Sequence, residues 1–184
     1  NVIIIGASSG MGLALAKHYL DEGHAVWVCG RQPDKIPQAI LETYKQLCTV
    51  KLDVCQQDQL RSFFQQFEQQ NIDLCIYCAG FYYNERRYHL DAQTSLQMLA
   101  TNLLGFQLSF ALAAEHMVKQ GQKSGHLAVI SSVAGLLTYP KATLYSQTKA
   151  AIIADAQTYA CALKPANIKV TCIIPGYVDT EKLR

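Results

Sequence analysis

Ile5-Gly6-Ala7-Ser8-Ser9-Gly10-Met11-Gly12 is the stretch whose reading decides the fold. It closes an apolar run, Val2 to Ile5, and opens a segment, residues 11–22, whose apolar side chains recur at helical spacing. Glycine permits the tight strand-to-helix turn and lets an anion approach the backbone closely. The start of the helix adds unpaired N–H groups and a partial positive charge. Gly6, Ser8, Ser9, Gly10 and Met11 are therefore candidate phosphate contacts, and Gly12 lets the helix lie close to the sheet. A glycine-rich loop alone is a weak signal; the strand before it and the helix after it strengthen this one, with an ordinary strand–helix turn as the plain alternative.

Outward from the loop, short Val- and Ile-rich runs alternate with longer helical patterns. Strands are expected over residues 2–5, 25–29, 48–52, 73–78, 126–131 and 169–174. Helices are expected over 11–22, 33–44, 56–69, 92–119 and 142–163. Several strands lack polar alternation, the pattern of a parallel sheet covered on both faces. Strand–helix alternation implies right-handed crossover units. Residues 81–91 (FYYNERRYHLD) are the most irregular, crowding aromatic and charged side chains just after a strand.

With 184 residues, half of them hydrophobic and 16% charged, the chain reads as one domain, 1–184, and not as a disordered or charged rod. Its net charge of +2 demands neither nucleic acid nor an anionic membrane as partner. The longest apolar stretch, residues 103–118, is interrupted by Gln107, Glu115 and His116, short of the roughly 18–20 residues of a membrane span. The apolar start has no basic lead and reads as a strand rather than a signal peptide. Because the chain opens on Asn1 and not Met, a fragment of a longer product is expected. Seven scattered cysteines, an odd number within mostly apolar runs, suit a reduced cytoplasmic protein. Cys75 and Cys78 stand three apart, but no second pair at zinc spacing accompanies them, so no metal is expected.

The glycine spacing GxxxGxG, together with Tyr145-Ser-Gln-Thr-Lys149, Ser132 thirteen residues before that tyrosine, and Thr101-Asn102-Leu-Leu-Gly105, resembles the short-chain dehydrogenase/reductase family. The resemblance runs from Val2 to Thr180. It implies an α/β fold with a Rossmann-like doubly wound parallel sheet in the order 3-2-1-4-5-6. It implies an oxidoreductase that moves a hydride between NADP(H) and a carbonyl or secondary alcohol. Tyr145 would give or take the proton, Ser132 would hold the substrate oxygen (Ser131 is the second choice), and Asn102 would hold a water leading to Lys149. Lys149 would bind the nicotinamide ribose and lower the tyrosine pKa. On a helix, i and i+4 share a face, and an ammonium about 4 Å away contributes on the order of 4 kcal/mol at an effective dielectric near 20.

By the same resemblance, the end of the second strand selects the cofactor. Gly30 occupies the place of an acid that would repel a 2′-phosphate, and Arg31 follows it, so NADP(H) is expected over NAD(H). Ser9, where many such relatives carry a basic residue, moderates that preference. Asp53 and Val54 would contact adenine, with a helix cap as the plain alternative for Asp53 and Asp58 as its substitute. Cys78, Ala79 and Gly80 would flank the adenosine ribose. Pro175, Gly176, Val178 and Thr180 would hold the carboxamide, Gly176 allowing a tight turn. Three positions depart from the family pattern: Ile5 replaces a threonine, and Tyr77-Cys78 replaces a pair of asparagines, the second of which braces the sheet.

Relatives continue with a substrate-covering lid and a last strand, expected beyond Arg184, so the substrate is not legible here. A small-molecule substrate and a homodimer or homotetramer through residues 92–119 and 142–163 are the expected partners. The alternatives are an NAD(H)-dependent enzyme of the same family, a non-catalytic dinucleotide sensor, and a partner-binding module using residues 81–88.

Overall fold

The computed structural model describes residues 1–83, 91–121, 124–137 and 139–180. Most of the aromatic loop named above therefore lies outside the described residues. Six parallel strands form one sheet in the order β3-β2-β1-β4-β5-β6: β1 Val2–Ile5, β2 Val26–Gly30, β3 Leu47–Lys51, β4 Leu74–Tyr77, β5 Gly125–Ile130 and β6 Ile168–Ile173. The doubly wound order anticipated from the sequence is the one observed. The chain winds outward from β1 to β3, then crosses back to β4, so the switch point lies between β1 and β4.

The continuous hydrophobicity of β1 has a simple cause. Ile3 and Ile5 belong to one core and Val2 and Ile4 to the other, following the period of two along a strand. All four side chains are essentially buried, and each contributes about 1.5–3 kcal/mol by leaving water. On one face, α1 (Gly10–Asp21) packs through Ala16 and Leu20. On the other, Phe63 and Phe64 of α3 (Gln57–Gln65) join Phe106 and Phe110 of α5 (Gly105–Lys119).

Two helices differ from the sequence pattern. The segment 33–44 divides into a 3₁₀ turn, Pro33–Lys35, and α2, Gln38–Thr43. Pro37 has no N–H and holds Ile36 extended, at ψ 128°, which breaks the helix there. The segment 92–119 is helical throughout, but α4 (Ala92–Leu99) joins α5 through a π turn, Ala100–Leu104. By length and composition this helix could cross a membrane, with a mean hydropathy of 1.3 in its most apolar window. Much of that hydrophobicity is used in the core, where Phe106, Phe110, Ala113 and Met117 are buried.

The last long helix, α6 (Thr143–Leu163), lies on the α3/α5 face and carries the Tyr145–Lys149 pair.

Candidate active site

The strand ends at the switch point form the floor of a cleft of about 350 Å³. Gly6 has φ +88°, and a Cβ there would lie 2.4 Å from Ala79 N, so only glycine lets the loop touch the end of β4. Gly12 is required by packing: a Cβ would lie 2.5 Å from Gly6 O. Ser9 precedes α1 in extended conformation and its side chain makes no capping bond. Ser8, Ser9, Gly10, Met11, Val178 and Thr180 also line an adjoining cleft of about 550 Å³. Thr180 reaches the loop, its methyl 3.7 Å from the place of a Gly10 Cβ.

At the far end of the first cleft, a Cβ on Gly30 would meet Ser8 Oγ at 2.3 Å, so a side chain there would push that hydroxyl aside. Arg31 lines the cleft as expected. Lys35 lines it too, and also the adjoining one, which the sequence reading missed. Neither cation forms an ion pair among the described residues. Lys35 ends the short 3₁₀ turn, Pro33–Lys35, that follows β2. Asp53 lines the cleft, and its Oδ1 accepts the Cys55 N–H at 3.0 Å. It thus closes a local Asx turn and does not cap α3, whose N-cap residue is Gln56. Val54 lines the same wall, with Ala79 and Gly80 opposite.

The tyrosine end is built from side chains. Ser131 and Ser132 separate cleanly. Ser131 is buried and donates to Lys149 O at 2.8 Å, holding α6 to β5. Ser132 lies beside the Tyr145 phenol and acts to lower its pKa, and its Oγ accepts the Ala134 N–H at 3.1 Å. Lys149, only 4% exposed, donates to Ile130 O at 2.8 Å and lies 5.7 Å from the Tyr145 ring centre. Burial lowers its pKa to about 8, while Cys78 and Cys172 act in the opposite direction.

The lowering of the tyrosine pKa expected from Lys149 is not what the geometry gives. The Tyr145 phenol lies above its ordinary pKa because burial disfavours the phenolate; Ser132 pulls the other way, and Tyr82 adds to the rise. The Tyr82 ring stands edge-on to Tyr145, centres 5.1 Å apart.

Asn102 is fully buried in the π turn. Its Oδ1 accepts the Phe81 N–H at 2.7 Å, and its Nδ2 donates to Phe81 O at 2.9 Å and Thr148 Oγ1 at 3.1 Å. Both amide hydrogens are committed, so the side chain clamps the segment after β4. Pro175 ties the last loop to the serine loop through Val133 N–H→Pro175 O, 3.0 Å. Gly176 does not take a positive φ, and a Cβ there meets nothing within 4 Å, so no tight turn demands glycine at that position. Cys78 is a partly buried thiol whose pKa burial raises to about 12, making it inert at neutral pH. Among the described residues no cluster of His, Cys, Asp and Glu could hold a metal.

Comparison with known proteins places this arrangement. The short chain dehydrogenase family profile matches residues 1–184. The chain is 25% identical over 186 residues to the 3-oxoacyl-[acyl-carrier-protein] reductase FabG of Chlamydia pneumoniae, covering 98% of this chain and 74% of that protein. It is 31% identical over 183 residues to an uncharacterized oxidoreductase, SAR2567, of Staphylococcus aureus (strain MRSA252), covering 97% and 78% respectively. Among solved structures, ElxO with NADP bound superposes with a TM-score of 0.91 at 26% identity, covering all of this chain and 75% of that one. The chain belongs to the short-chain dehydrogenase family, and with it to the oxidoreductases.

Proposed function

We propose that the protein transfers a hydride between NADP(H) and a carbonyl or secondary alcohol, with a preference for NADP(H) over NAD(H). The observation that carries the preference is that Arg31 and Lys35, which form no ion pair among the described residues, line a cleft in which Gly30 stands at the position of an acid. A guanidinium recognises a phosphate bidentately, and an ammonium adds a point charge. The ElxO structure with NADP bound supports the same cofactor class.

The cleft fits such a group. Gly6 and Gly10, both at positive φ, shape the loop at the N-terminus of α1, where the N–H groups and helix dipole would receive the pyrophosphate. Asp53 and Val54 would flank the adenine, and Cys78, Ala79 and Gly80 the ribose beside it. Pro175, Gly176, Val178 and Thr180 would cover the nicotinamide end. The bound dinucleotide supplies or accepts the hydride. The phenol of Tyr145, kept protonated by burial, is the proton donor to the developing alkoxide. Ser132 lies beside that phenol, and its hydroxyl would meet the substrate oxygen where charge grows. Lys149, anchored on Ile130 O, supplies an ammonium at the same end of the cleft. Asn102 keeps the wall at Phe81 and Thr148 in place.

The α4–α5 helix leaves Leu96 and Leu104 exposed, and α6 buries only Thr148, Lys149, Ile152 and Ala156 of its 21 residues. This supports a homodimer or homotetramer through these helices. Seven free cysteines support a reducing, cytoplasmic setting.

The direct test follows NADPH absorbance with a panel of ketones. Turnover with NADPH that disappears in Tyr145→Phe supports the reading; turnover that survives that change refutes the mechanism.

A further inference from the structure

Tyr77 stands where the family pattern has an asparagine, and nothing in the mechanism above uses it. It is fully buried at the end of β4, one residue before Cys78. Its hydroxyl donates to the carbonyl of Thr101 at 2.5 Å. That carbonyl is a special one. In a regular helix it would receive the Gly105 N–H, four residues on. In the π turn the Gly105 N–H goes to Ala100 O instead, five residues back. Tyr77 therefore supplies a donor to the carbonyl that the π turn deprives of its usual partner. The space for the ring is reserved: a Cβ on Gly105 would lie 2.8 Å from the Tyr77 hydroxyl.

The neighbour of that carbonyl is Asn102. From the π turn its side chain binds Phe81 N–H, Phe81 O and Thr148 Oγ1, and Thr148 Oγ1 donates to Tyr145 O at 2.8 Å. One connected path leads from the Tyr77 hydroxyl through Thr101 and Asn102 to the turn of α6 that carries Tyr145 and Lys149.

We infer that Tyr77 is a positioning residue for the reaction, its hydroxyl holding the π turn open so that Asn102 stays clamped beside Lys149. This rests on the reading of Tyr145 and Lys149 under Proposed function. The polar brace that the sequence lacks at Cys78 is thereby supplied from the other side of the strand. The Tyr77 pKa is raised well above its ordinary value by burial, so the hydroxyl remains a donor throughout the working range.

The consequence reaches Lys149. Asn102 Oδ1 and Lys149 Nζ each lie 3.9 Å from the point a Gly80 Cβ would occupy. If the π turn relaxes, Asn102 withdraws and water gains access to the ammonium. The titratable groups facing Lys149 are Cys78 after β4, Cys172 of β6 and Tyr145 on its own helix. Both thiols are held protonated by burial, so hydration of Lys149 is the change that moves its titration, upward from about 8.

The test uses Tyr77→Phe in the full chain, with NADPH and a ketone that the unaltered protein turns over. Expected are a fall in kcat between about tenfold and a hundredfold, the scale of a displaced positioning contact, an NADPH KM within about twofold, and an alkaline limb of the pH–kcat profile displaced to higher pH. Gly105→Ala, which keeps the hydroxyl but crowds it, should reproduce the displaced limb. An unchanged kcat and limb overturn the proposal. So does a kcat loss that merely tracks the folded fraction with the limb in place, or a Tyr77→Phe protein that does not fold, since either makes Tyr77 a core residue only. Tyr145→Phe is run alongside: turnover surviving there overturns the parent reading instead, whatever Tyr77→Phe does.

Discussion

The two ends of the cleft are built on opposite principles. The glycine-loop end is shaped by missing side chains: Gly6, Gly12 and Gly30 each sit where a Cβ would lie within 2.5 Å of another atom. Its cations, Arg31 and Lys35, are exposed and form no ion pair among the described residues. The tyrosine end is shaped by buried side chains, most of them bonded to backbone carbonyls. Asn102, Ser131, Thr148 and Lys149 are buried, and each is committed to a named partner. The first design keeps a preformed anion cradle in water, where recognition rests on free charge. The second removes water, and burial moves the Lys149 pKa down and the Tyr145 pKa up.

The sharpest way to separate the two ends is Tyr145→Phe. Turnover should fall by about a thousandfold, roughly 4 kcal/mol in the barrier, the middle of the range for lost acid–base catalysis. NADPH affinity measured by calorimetry should stay within a few-fold, because the loop end is untouched. Gly6→Ala should break the separation, because Gly6 abuts Ala79 across the switch point. Positive φ and a 2.4 Å clash should together cost about 3 kcal/mol of stability in denaturant unfolding, with cofactor affinity falling too.

The Lys149 ammonium is the buried charge that sets the tyrosine end apart. Its folded pKa, about 8, lies below the ordinary 10.5, so the unfolded chain holds this proton more tightly. The penalty is complete below about pH 8 and is relieved as pH rises toward 10.5. Its full size is at most about 3 kcal/mol. The stability of Lys149→Met minus that of the unaltered protein should therefore shrink as urea titrations move from pH 8 toward pH 10. A constant difference would mean that the ammonium is not desolvated.

At the loop end, Arg31→Asp should weaken NADPH binding about 30-fold, near 2 kcal/mol, and leave NADH binding unharmed. Lys35→Ala should have the smallest effect, about three- to fivefold on NADPH alone, as suits an exposed ammonium. Equal losses with NADH would move both residues off the 2′-phosphate.

Much of this was legible in the sequence, and unequally. The strands and the glycine loop could be read because hydrophobic period and glycine placement are local signals, whereas the strand order came with the family resemblance. Helix spacing alone pairs Tyr145 with Lys149; the addition of Ser132 rested on the resemblance. The break at Pro37 interrupts the helix expected over 33–44, since a proline inside a helical segment removes a backbone N–H. The π turn could not be read, since one extra residue in a helix shifts the period too little over a single turn. Tyr77 stands out in the sequence only as a departure from the family asparagine, because its partner is a backbone carbonyl made available by that turn. Lys35, beside Asp34 in a short turn, carries no sequence pattern of its own. The paired departures at Ile5 and Cys78 proved to be neighbours, joined by Cys78 N–H→Ile5 O at 2.7 Å, so that contact relies on backbone in place of polar side chains.

The most direct measurement is a calorimetric titration of the protein with NADPH and, separately, with NADH. NADPH should bind at least tenfold tighter, a difference of about 1.4 kcal/mol, with the difference abolished in Arg31→Asp. Equal affinities, or tighter NADH, would contradict the assignment of Arg31 and Lys35, and no binding of either would contradict the cleft as a dinucleotide site.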